Sequence, residues 1–391
     1  MPDFRRPENK LFASPYACLD KKYQKRTKQL RTDRFRTDFQ RDIHRIIYSQ
    51  AFRRLRHKTQ VFFFPRNDHV CTRMEHVLHV ASASRTVARC LGLNEDLAEA
   101  IALAHDIGHA PFGHDGEKIL DKIAKREKIL PCFQHEIYGL RVVDYIAKLD
   151  REAPGLNLTW AVRDGIISHC GEDRRSYTIK PNESMKDLDS ISSREKAGLP
   201  CTMEGCVVRM VDKIIYSGRD IEDAIATKVI KKADVSNGLV KALGKNNGAM
   251  IGTFLEDLVT NSFGKSCLTL SPKTGRLLKQ LLKFNYKYIY NSKRAKRYYD
   301  HADRTLRSLF DILLKTLKST NRFVDTSPKK TDIFSETDVY RVFKQFVTED
   351  MKKIYTSATP DGLIVFDFIA GMTDNFAVQS FQELFVPQST V

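Results

Sequence analysis

The tightest constraint on this fold is an apolar helical stripe that ends in two polar side chains. Between Asn94 and His105, the positions Leu97, Ala98, Ile101 and His105 recur at helical spacing. Asn94 is suited to cap that helix, with Glu95 and Asp96 in its first turn. Gly108 and Pro111 then end it. The stripe carries His105, and Asp106 directly after it, towards the interior, where an unpartnered carboxylate is costly. Neutral imidazole and carboxylate together suit a borderline or hard divalent ion such as manganese, iron, magnesium or zinc.

Two further ligands complete a four-donor set. In Thr72 to Leu93, His76 shares a helical stripe with Val80, Ala83 and Val87, so it too points inward. Asp212 is an acid within the otherwise apolar run Val207 to Tyr216. The bland reading of each histidine is a hydrogen-bonded core residue, and that of Asp212 is an ion pair with Lys213 or an arginine. Neighbouring helical residues diverge by roughly 100°, which makes the Lys213 pair awkward.

The chemistry extends around these four. Six of the eleven histidines fall between His76 and His135. Among them, His109, His114 and His135, with Glu117, could supply a general acid or base near neutral pH. Glu117 could fix the tautomer of His114. The alternatives are a helix N-terminal contact for His114 and an exposed helix start for His135. Arg73 lies one turn before His76 and suits bidentate capture of phosphate. The cluster Arg53-Arg54-Leu55-Arg56-His57-Lys58 adds cations. Neither GxxxxGK[ST] nor GxGxxG occurs, so a phosphate must be held by side chains and metal. Tyr216, Arg219 and Asp220 follow Asp212 at i+4, i+7 and i+8 and share one side of a helix. That side would face one pocket, unless it is an ordinary amphipathic helix with an Arg219–Asp223 surface pair.

With 391 residues, 42% hydrophobic and 29% charged, the chain suits a globular protein with a sizeable core. It has no apolar run of membrane-spanning length, and its first residues carry no apolar leader. Eight cysteines without a CxxC pair fit a reducing cytoplasm. A net charge of +17 attracts polyanions: nucleotides, single-stranded DNA or phosphates. It also fits a merely solvated basic surface, with the run Ser292 to Arg297 as a helix terminus.

Helical periodicity dominates from Arg41 onward, including Met203 to Ala226, Gly275 to Tyr290 and Ala302 to Lys318. The chain reads as all-α, with Lys58 to Phe64 the best strand or hairpin candidate. Residues 1–40 read as a basic arm that packs on the body or on a neighbouring subunit. Residues 41–230 form a core carrying the motifs, and 231–391 a further helical region packed on it. Lys180 to Pro200 reads as a mobile polar loop, and Lys231 to Gly248 as containing a loop.

His76, His105-Asp106 and Asp212 resemble the H…HD…D signature of the HD metal-dependent phosphohydrolases. The longer segments RIIYSQAFRRLRHKTQVF, TRMEHVLHVA, AIALAHDIGHAPFGHDGE, LNLTWAVRDGIISH, TMEGCVVRMVDKIIYSGRDIEDAI and DFIAGMTDNFA are similar to one branch, the dGTPase-like deoxynucleoside triphosphate triphosphohydrolases. The resemblance spans nearly the whole chain. It implies a helical HD fold, homo-oligomers, and hydrolysis of a dNTP to deoxynucleoside and inorganic triphosphate. By that resemblance, His76, His105, Asp106 and Asp212 hold the metal, manganese or magnesium, with iron or zinc as alternatives. His114 matches the catalytic histidine, Glu117 its acidic partner and His135 a second histidine. Arg73 and Lys213 match phosphate contacts, and Gln60, Tyr216 and Asp220 match the group that reads the deoxyribose. The family's activation by dNTP effectors implies an allosteric site, for which the basic arm is a candidate. Cys71, Ala110 and Glu136 stand where many relatives have arginine, proline or asparagine. Two rivals to this reading are another HD reaction, on phosphodiesters or alarmones, and a non-enzymatic nucleotide or single-strand binder.

Overall fold

The computed structural model describes residues 12–19, 21–60, 71–149, 154–171, 177–244, 246–323 and 336–386. Its helices, in chain order, are α1 (Asp38–Tyr48), α2 (Gln50–Arg54), α3 (Arg73–Cys90), α4 (Glu95–Ala104), α5 (Gly113–Arg126), α6 (His135–Arg141), α7 (Trp160–Ser168) and α8 (Arg194–Ala197). Then come α9 (Met203–Ala226), α10 (Asn237–Leu243), α11 (Asn247–Ser262), α12 (Pro272–Asn285), α13 (Lys293–Ser319), α14 (Asp338–Gln345), α15 (Asp361–Ala370) and α16 (Asp374–Phe385). The sheet among the described residues is one antiparallel pair, β1 (Thr178–Ile179) with β2 (Leu268–Thr269). The fold is helical, as the periodicity predicts.

Helix α4 is the centre of the core. The Asn94 side chain accepts the Leu97 N–H at 3.2 Å, capping the helix as expected. From Leu97 to Ala104 every residue except Glu99 is buried, so α4 has no broad wet face. It packs against α1, α3, α7 and α9. Gly165 lets α7 come close: a Cβ there would stand 2.5 Å from Ile101 Cγ1. Helix α3 begins at a capping box, in which Thr72 and Glu75 satisfy one another's backbone N–H groups. Its cap sets the register that buries Arg73 and His76 together.

The later helices close over one side. Helix α13 packs on α5, α15 and α16, while α9 packs on α11 and α12. Asp374, in the first turn of α16, reaches the site loops directly. Its Oδ1 accepts the Phe112 N–H at 2.9 Å, and its Oδ2 accepts the Thr59 N–H at 3.1 Å and hydroxyl at 2.6 Å. Lys58 is buried, and its ammonium donates to the carbonyls of His109 and Ala370. Part of the N-terminal segment lies along the body. Arg26 reaches Asp38 and Asp42, and the Trp160 N–H donates to the Lys25 carbonyl.

Two local expectations change. Thr59 makes one antiparallel bridge with Thr72, and the rest of the strand candidate, residues 61–64, lies outside the described residues. The paired strands are β1 and β2, which are distant in sequence rather than joined as a hairpin. The stretch Lys180 to Pro200 is pinned rather than loose. Lys186 Nζ lies 2.8 Å from the buried Asp164, and Arg194 pairs with the buried Glu136 at 2.5 Å. Buried carboxylates need cations, and this segment supplies them.

Candidate metal and phosphate site

Three elements bring the four proposed ligands together: α3 supplies His76, the end of α4 supplies His105 and then Asp106, and α9 supplies Asp212. His76 Nε2 lies 2.9 Å from Asp212 Oδ1 and 3.9 Å from Asp106 Oδ2. His105 Nε2 lies 3.6 Å from Asp106 Oδ1 and 3.7 Å from Asp212 Oδ1. His105 Nδ1 donates to the Ala102 carbonyl at 2.7 Å, which leaves its Nε2 lone pair facing the centre. That Nε2 is buried and has no hydrogen-bond partner. Two imidazoles and two carboxylates around an orphaned nitrogen fit a divalent ion. Burial would raise the Asp106 carboxyl, but His109, His105 and Arg73 outweigh it and hold it well below the usual range.

A second cluster adjoins the first. His109 Nε2 lies 3.1 Å from Asp106 Oδ1, and its ring stacks on His135 with centroids 3.7 Å apart. Glu117 Oε2 accepts from His114 Nδ1 at 3.2 Å and from His135 Nδ1 at 2.8 Å. Burial would raise Glu117, but the charges of His135 and His114 hold it well below its ordinary value. His114 is exposed while His135 is buried, so the chain runs from solvent inward. This overturns the exposed-helix-start alternative for His135. Gly108 makes the approach possible: a Cβ there would meet the His135 carbonyl at 2.1 Å and the Gly139 nitrogen at 2.3 Å.

Sequence reasoning did not single out His169 or Cys170. His169 ends α7, and its Nε2 lies 3.3 Å from His135 Nε2 and 3.2 Å from Cys170 Sγ. Burial, with the charges of His105 and His135, pushes His169 down to about 3, so the ring is neutral. The available signal was its place after the apolar run Gly165-Ile166-Ile167 on a buried helix.

The cations and the sugar-reading candidates divide between a pair near Asp106, Arg73 and Gln60, and the stretch of α9 that carries Lys213, Tyr216 and Asp220. Arg73 is 1% exposed and its Nη1 pairs with Asp106 Oδ2 at 2.8 Å. Gln60 lies beside it, its carbonyl 3.4 Å from Arg73 Nη2 and its Oε1 buried without a partner. Lys213 and Tyr216 face a cavity of about 490 Å³ also lined by Tyr177, Met210, Leu278 and Tyr290. Tyr290 sits in a π turn after α12, and its hydroxyl donates to the Asp220 carboxylate. Burial pushes that carboxyl up to about 7. Arg219 turns instead to Glu222 and Asp223, and Asp223 is buried, so the pair is not a surface one.

Comparison with known proteins agrees with this geometry. Residues 73–216 match the HD domain family. A deoxyguanosinetriphosphate triphosphohydrolase-like protein of Caldanaerobacter subterraneus is 38% identical over 374 residues, covering 96% of this chain and 92% of the relative. One from Desulfatibacillum aliphaticivorans is 36% identical over 383 residues, covering 97% and 96%. One from Clostridium tetani is 32% identical over 364 residues, covering 92% and 88%. No helix among the described residues is long and apolar enough to cross a membrane. An HD-type histidine–aspartate centre at the end of α4, with relatives aligned along nearly the full chain, places this protein in the deoxyguanosinetriphosphate triphosphohydrolase-like family of HD-domain hydrolases.

Proposed function

We propose that the chain hydrolyses deoxynucleoside triphosphates to the deoxynucleoside and inorganic triphosphate. The observation that carries this reading is the convergence of His76, His105, Asp106 and Asp212, with the Arg73 guanidinium 2.8 Å from Asp106 Oδ2 and a cavity lined by Lys213 and Tyr216 on the helix that bears Asp212. A divalent ion held by those four side chains would act as a Lewis acid at a phosphoryl oxygen and lower the pKa of a bound water.

The remaining chemistry belongs to the chain's own residues. Arg73 and Lys213 bind phosphate oxygens and offset charge that develops there. His114 donates its Nδ1 proton to Glu117, which leaves Nε2 to exchange a proton with water or with the leaving oxygen. His135 shares the same Glu117 oxygen and holds that carboxylate in place. His109, stacked on His135 and bonded to Asp106, ties the proton-handling group to the ligand group. Tyr216 packs against the deoxyribose and crowds a 2′-hydroxyl, with Tyr290, bonded to Asp220, lining the same cavity and Gln60 reading the sugar from beside Arg73.

The experiment is product analysis with each dNTP, singly and in mixtures, with manganese or magnesium. Deoxynucleoside and triphosphate are the expected products, and mixtures would reveal activation by a second nucleotide. Monophosphate with pyrophosphate would refute the reading.

A further inference from the structure

Beside the four proposed ligands lies a softer donor group, of which the reading above uses only His135, and that only through Nδ1. His135 Nε2, His169 Nε2 and Cys170 Sγ stand 3.3, 3.2 and 3.3 Å apart, a nearly equilateral triangle. A tetrahedral ion with Zn–N near 2.0–2.1 Å and Zn–S near 2.3 Å requires donor separations of roughly 3.3–3.6 Å. The triangle is therefore close in size to one face of such a tetrahedron.

The tautomers support the same reading. His169 Nδ1 lies 2.7 Å from the Ile166 carbonyl, which can only accept, so the proton sits on Nδ1. His135 Nδ1 is likewise committed to Glu117 at 2.8 Å, with Glu136 at 3.4 Å. Burial would lower the His135 ring, but Cys170, Glu117 and Glu136 hold it well above its ordinary value, so a cation must displace its Nε2 proton; both rings then present lone pairs at Nε2, facing each other. A Cys170 thiol has one hydrogen and can satisfy only one of them. A cation satisfies both nitrogens and the thiolate together. A carboxylate and a carbonyl behind the ring are also the usual outer partners of metal-bound histidines.

We infer that His135, His169 and Cys170 form a second cation site, selective for a borderline-soft divalent ion such as zinc. Binding releases the thiol proton and leaves one coordination position open. This site adjoins the harder group, since the donors of His105, Asp106 and His169 lie within 4.8 Å of one another. It does not depend on which nucleotide the protein uses. It does bear on His135, because an imidazole coordinated through Nε2 cannot take up a proton there.

The test is a cobalt titration of the metal-stripped full chain, read by absorbance and by metal analysis. The expected result is a thiolate-to-cobalt charge-transfer band in the near ultraviolet, with more cobalt bound than the His76/Asp212 group can hold. Cys170→Ser abolishes the band and lowers the bound cobalt, whereas Asp212→Asn retains the band. If His135 is instead an imidazolium donating to His169, wild-type protein shows no such band, and the proposal fails. A band that survives in Cys170→Ser also overturns it. The wild-type titration decides the matter even if a variant does not fold.

Discussion

Asp374 accepts the main-chain N–H of Phe112 at 2.9 Å, across 262 positions of sequence. Phe112 has a left-handed backbone (φ 65°), which a bulky residue adopts only under constraint. The other oxygen of Asp374 holds Thr59, next to Gln60. One carboxylate thus fixes both loops that flank Arg73.

Asp374→Ala leaves the Phe112 and Thr59 N–H groups without their acceptor. Each buried unsatisfied donor costs about 1–3 kcal/mol. The urea midpoint should fall accordingly, and turnover should drop more than helicity does. Unchanged denaturation and kinetics would show that the contact is dispensable.

Glu117→Gln should lower kcat by roughly 10²–10⁴, the range of a general acid–base contribution, while KM changes little. The substitution keeps the shape but replaces an acceptor-only oxygen between His114 and His135 with an amide. Circular dichroism should be unaltered. A KM effect alone would place Glu117 in binding rather than proton handling.

Removal of the divalent ion should lower Tm as well as activity. An ion present at a hundred times its Kd adds about 2.7 kcal/mol. Calorimetry with and without chelator measures this, and His105→Ala should erase the difference attributable to the His76/Asp212 group. Equal Tm values in the wild type would contradict the metal assignment.

Stability should fall as pH rises through neutrality because of Glu204. This buried carboxylate accepts the Cys18 and Asn94 N–H groups at 2.9 Å, yet burial lifts it from 4.5 to about 7. The folded value exceeds the unfolded one, so its contribution is complete below about 4.5 and is lost through about 7. Glu204→Gln cannot ionise. Relative to wild type, it should gain on the order of 3 kcal/mol between about pH 5 and about pH 8. A constant difference in denaturation free energy across that range would refute the shift.

Local pattern foretold what local pattern determines. The Asn94 cap, the His76 stripe and the full span of Met203–Ala226 follow from spacing and capping residues. The convergence of the four proposed ligands was readable because His76 and His105 lie on apolar stripes, Asp106 follows His105, and Asp212 interrupts an apolar run. His169 and Cys170 were not, because their meaning comes from the packing of α7 on α6, and no spacing along the chain encodes that. Lys180 to Pro200 misled for a related reason. Its composition is that of a loop, but Lys186 and Arg194 answer carboxylates buried elsewhere, and charge pairing across the fold is invisible in a window. Asp374 likewise reads only as a helix-start acid until the fold brings Phe112 to it.

The bare backbone at Gly108 makes the loop bearing Asp106 and the helix bearing His135 a single mechanical piece. A methyl group there would wedge them apart, moving the proposed Lewis-acid centre and the proposed proton-handling group away from each other at once. On the proposed reading, rate and metal affinity are harnessed together at this one glycine, and an engineer seeking to retune one must expect the other to follow.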